Sequence, residues 1–108
     1  MSRLWNDLLP SLLDEFSDLA LQKSALTPER EKRLKAIQSS SGDNCQVIFS
    51  GLAALANAFV HSREELSESE QDSLGYLIQY LAALGADLAD IHSNTFGYLS
   101  SSKEVADA

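Results

Sequence analysis

The chain has one cysteine, Cys45, in 108 residues. A lone thiol cannot close an internal disulfide, which excludes a small domain stapled by cystines. Two prolines and five glycines leave long stretches in which nothing forbids helix. Valine and isoleucine are scarce beside leucine and alanine, a balance that disfavours strand. The first residues, Met1-Ser2-Arg3-Leu4-Trp5-Asn6-Asp7, lack the apolar run and small-residue cleavage site of a signal peptide. No apolar run is expected to reach the ~20 residues that span a bilayer. Together these absences predict a cytoplasmic protein that does not enter a membrane.

Positive charge is also missing from most of the chain. Residues 1–42 hold six acids and six bases, whereas residues 43–108 hold ten acids and only Arg63 and Lys103 as bases. The whole net charge of −8 therefore belongs to the second part. An acidic field repels phosphate backbones, so direct nucleic-acid binding by that part is not expected.

What is present reads as helix. Apolar content is 44%, enough for a folded core. Trp5, Leu8, Leu9, Leu12, Leu13, Phe16, Leu19 and Ala20 recur at steps of three and four, which predicts a first helix over about 2–23. Pro10 disturbs it, and the helix is as well begun there with residues 1–8 as a separate arm. Thr27-Pro28 marks a second start, with a hydroxyl at the N-cap and proline at the first helical position. That helix is expected to end near Ser39 and to lie largely exposed, with Glu29–Arg33 and Glu31–Lys35 pairing along it. Ser39-Ser40-Ser41-Gly42-Asp43 reads as a loop.

A hairpin is expected next, with helices over about 44–61 and 68–93. Ile48, Leu52, Leu55 and Phe59 form the seam of the first. Ser67-Glu68-Ser69-Glu70 opens the second with a capping-box pattern. Leu74, Leu77, Leu81, Leu84, Leu88 and Ile91 then alternate steps of three and four, an a/d seam that Ile78 and Gly85 widen. A turn near Glu65 makes the helices antiparallel, with Phe59 near Leu74 and Leu52 near Leu81. Residues 95–108 read as a tail from which Phe96, Tyr98 and Leu99 can dock. The fold class is thus all-α, a small helical bundle in a single domain of residues 1–108. Residues 1–40 form its N-terminal helices and 44–93 its hairpin.

No constellation for chemistry emerges. His61 and His92 lack the Glu-x-x-His spacing of a bundle metal site, and each is read as a helix-end residue. Cys45 reads as a small buried group rather than a nucleophile. The acids do not follow a calcium-loop spacing. Arg30, Lys32, Arg33 and Lys35 make the one basic cluster, offset by Glu29 and Glu31. No catalytic, cofactor or metal residue is assigned. The residues expected to meet a partner are Trp5, Tyr76 and Tyr80, because exposed aromatics anchor interfaces, with the acidic Glu64, Glu65, Glu68 and Asp72.

The leading expectation is a non-catalytic interaction or regulatory module that pairs as a homodimer, since one hairpin cannot bury two wide apolar stripes. The alternatives are an acidic nucleic-acid mimic that inhibits a DNA- or RNA-binding protein, and nucleic-acid binding through the basic helix 28–39.

Overall fold

In the computed structural model the chain folds into three helices, α1 (Leu12–Ala20), α2 (Pro28–Ser62) and α3 (Glu68–Asp107). The structure describes Trp5, residues 8–20 and residues 26–107, with side chains to residue 19 in the first span and to residue 100 in the second. α2 and α3 lie antiparallel as a hairpin, joined by one 3₁₀ turn, Arg63–Glu65. The short α1 packs across the open end of that hairpin. The molecule is a rod of 63 × 22 × 18 Å. Its radius of gyration is 18.4 Å, against about 13 Å for a rounded domain of this length.

Each helix starts where local chemistry supplies a cap. Ser11 Oγ accepts the amide of Asp14 at 3.3 Å, opening α1 directly after Pro10. Thr27 Oγ1 accepts the amide of Arg30 at 3.2 Å, with Pro28 first in α2. At α3 the expected box is complete. Ser67 Oγ accepts from the Glu70 amide and Glu70 Oε1 accepts from the Ser67 amide, both at 3.1 Å. The Gln71 side-chain amide then donates to the carbonyls of Arg63 and Leu66, tying the turn to the helix.

The first helix is shorter than its periodicity predicts. The amides of Leu8 and Leu9 both donate to the Trp5 carbonyl, closing a turn, and helix begins only at Leu12. The expected limits at residues 2 and 23 lie outside the described residues. Pro10 decides this start, because it lacks the donor that a continuous helix needs.

Two expected breaks do not exist. Ser39–Asp43 is ordinary helix inside α2. Its polar side chains turn back on the helix itself: Ser41 Oγ donates to the Ile37 carbonyl at 2.6 Å and Asn44 Nδ2 to the Ser40 carbonyl at 2.8 Å. Residues that favour turns because they bond nearby backbone here find that backbone without leaving the helix. Asn94 likewise does not end α3, which runs on to Asp107. Thr95 Oγ1 donates to the His92 carbonyl at 2.6 Å, and Tyr98 and Leu99 pack on the core. Of the stretch read as a tail, Tyr98 and Leu99 thus dock as expected, whereas Phe96 is exposed.

The α2 seam is the one read off the sequence, whereas on α3 it shifts from Leu77, Leu84 and Ile91 toward the ridge of Ile78, Gly85 and His92. On α2 the facing positions are Leu34, Gln38, Ser41, Cys45, Ile48, Leu52, Leu55 and Phe59. On α3 they are Leu74, Ile78, Leu81, Gly85, Leu88, His92 and Thr95. All are buried or half-buried. Steps of three and four are kept throughout, as a sustained a/d repeat requires. Contacts across the seam fix the register. Cys45 Sγ lies 3.5 Å from the Gly85 carbonyl, and His92 Nδ1 lies 2.7 Å from the Gln38 carbonyl. Leu77, Leu84 and Ile91 fall on the neighbouring ridge. Ile91 is buried beneath α1, Leu84 is half-buried and Leu77 is exposed.

The core sits at one end of the rod. Leu12, Phe16 and Leu19 of α1 close over Leu34 and Ile37 of α2 and Ile91 of α3, with Tyr98 and Leu99 at the margin. Helix 28–39, expected to be largely exposed, supplies through Leu34 and Ile37 the floor of this core. Deep burial of one such side chain contributes roughly 1.5–3 kcal/mol, so few apolar residues suffice where they meet a second helix pair.

Two glycines test the packing. A Cβ on Gly42 would lie 2.8 Å from the His92 ring, whereas one on Gly75 would meet open space. Gly75→Ala is therefore expected to stabilise by about 0.5–1 kcal/mol through helix propensity. Gly42→Ala is expected to lower the thermal midpoint, because His92 must give up its bond to Gln38. Thermal unfolding followed by circular dichroism compares the two.

The capping box generates a pH prediction. Bonds from the Ser67 backbone and then its side chain hold the Glu70 carboxyl below its usual 4.5. A carboxyl with a lowered folded-state value adds stability above its unfolded value and loses it as pH falls through the folded value. The midpoint difference between the native chain and Glu70→Gln should be present at pH 7 and shrink once pH drops below about 4.5. A difference that persists unchanged at pH 2 contradicts this linkage.

Candidate interaction surface

The basic cluster is already occupied, chiefly by α1. Arg30 makes a two-pronged ion pair with Asp18, at 2.6 and 2.7 Å, and donates to the Glu15 carbonyl at 3.2 Å. Its guanidinium also stands 5.2 Å over the Phe16 ring. Bonding to the Asp18 carboxylate raises the Arg30 pKa further above its ordinary value. Arg33 Nε reaches Glu15 at 3.0 Å, so the expected Glu29–Arg33 pair is replaced by a bond between helices. The expected Glu31–Lys35 pair is present at 3.0 Å. Two of the ion pairs in this neutral first part thus staple α1 onto α2. α1 is kinked at Phe16 (φ −128°, ψ 21°). That ring is buried between the Arg30 guanidinium and Tyr98, the latter 6.1 Å away.

The histidines serve structure in different ways. His61 Nδ1 lies 2.7 Å from the Asn57 carbonyl in the last turn of α2, the helix-end role expected of it. His92 is not at a helix end. It sits within α3 and joins it to the α2 carbonyl of Gln38, with Phe96 edge-on at 5.2 Å. That contact needs a proton on Nδ1. Cys45 is half-buried on the seam. Among the described residues no three histidine, cysteine or carboxylate side chains gather as a metal set would.

The acids chosen from the sequence meet at one end of the rod. Glu64 and Glu65 lie in the turn, Glu68 and Asp72 in the first turns of α3, and all four are exposed. The three aromatics separate. Trp5 is half-buried, and its Nε1–H donates to the Tyr80 carbonyl at 3.0 Å, so it straps the chain onto α3. Tyr76 and Tyr80 stand in solvent at 63% and 47% exposure.

The surface that sequence reasoning missed is the shaft between the acidic turn and the core. Residues 44–62 and 73–86 contain no aspartate, glutamate, lysine or arginine. Leu77 is 46% exposed, and Val47, Phe49 and Val60 are exposed as well. Helices that are apolar on every side are normally covered. Leu77 escaped notice because the sequence favours Leu77, Leu84 and Ile91 over Gly85 and His92 as seam residues. The signal that finds the shaft is the gap in charge on both helices.

One expectation about membranes is also revised. α2 with its following turn, Pro28–Glu65, holds an 18-residue window of mean hydropathy 1.3, long and apolar enough by composition to cross a membrane. Among the described residues α3 does not pass the same test, although a spanning hairpin needs two such helices.

The groove between α2 and α3 that α1 fills is open where α1 begins. There Leu9, Pro10, Ile37, Ser41, Leu88 and Ile91 line a shallow pocket. It contains no convergent catalytic groups. Comparison with protein-family models, with curated proteins and with solved structures finds no match to this chain.

The Arg30 staple is open to direct test. Arg30→Met keeps the aliphatic stem while removing the fork and the cation over Phe16. Its loss is expected to cost about 1–2 kcal/mol, and denaturant unfolding measures it. A cost near zero would show that the exposed pair contributes little, as isolated surface bridges often do.

Proposed function

We propose that the chain is a non-catalytic protein–protein interaction module, with the charge-free shaft of its hairpin as the docking surface. One observation carries the reading: Leu77 and Tyr80 stand about half exposed on helices that bear no charge from residue 44 to 62 and from 73 to 86. Apolar surface of this extent, rimmed by charge at both ends, is the usual mark of an interaction site. A regulatory role follows from binding without chemistry.

The acidic turn favours a second reading. Glu64, Glu65, Glu68 and Asp72 crowd one exposed end and offer carboxylates where a nucleic-acid-binding protein expects phosphate. Nucleic-acid binding by helix 28–39 is less favoured, because Arg30, Arg33 and Lys35 already hold carboxylates of the same chain.

A photo-reactive phenylalanine analogue placed at Tyr80 or at Asp72 in the living host separates these readings. Discrete protein adducts from position 80 and none from 72 are expected. Adducts from 72 alone favour the mimic, and no adduct from either position removes the interaction module.

A further inference from the structure

We draw no further inference here: the strongest candidate, the uncharged flank of the hairpin around the exposed Leu77 and Tyr80, carries nothing, because nothing in the structure shows what covers it.

Discussion

Two helices of 35 and 40 residues stay in contact along their length only if their facing positions keep a 3.5-residue repeat. That constraint governs the rest of the molecule. It requires positions 85 and 92 of α3 to face α2, although they hold glycine and histidine. Both are accommodated by what stands opposite. Gly85 takes the ring of Phe49 and the branch of Ile48, and Gly42 takes the ring of His92. The bond from His92 to the Gln38 carbonyl then locks the register at the end where the core forms.

α1 converts half of this hairpin into a folded core and leaves the other half thin. Burial of Phe16, Leu19, Leu34 and Ile91 gathers the hydrophobic stabilisation at one end, and the Arg30 fork holds the lid in place. At the other end only two helices meet. Two helices bury one stripe each, so the remaining apolar surface faces outward. The same imbalance explains the distribution of charge. Asp18 and Glu15 beside the core are paired with arginines, and the carboxylates at the turn extend into water. The interaction reading proposed above rests on this unequal cover.

Much of the fold was legible in particular residues. Thr27-Pro28 and the Ser67–Glu70 box marked the two long helices, because a side-chain oxygen three residues before an unsatisfied amide is a local signal. The antiparallel pairing of the two long helices was readable from the length of the turn. Ser39–Asp43 was not, because Ser and Asn favour turns when alone and here bond to their own helix. On α3 the seam was placed too far toward Leu77 and Leu84, since leucine outweighs glycine at 85 on hydrophobicity alone. Of the candidate surface residues, the acids lie together at one end, and Trp5 bonds to the Tyr80 carbonyl. The shaft was overlooked, as a lack of charge on two separate segments becomes one surface only when the segments are paired.

The sequence by itself determined that the chain is helical, that it turns back near Glu65, and that its negative charge gathers beyond residue 42, because propensity, capping and composition act locally. Only the tertiary structure decided which ridge of α3 meets α2, where α1 lies, and which leucines remain in water. Those outcomes depend on the shape of neighbours far away in sequence: a glycine opposite a histidine, an arginine opposite an aspartate. No local pattern records which distant side chain will arrive there.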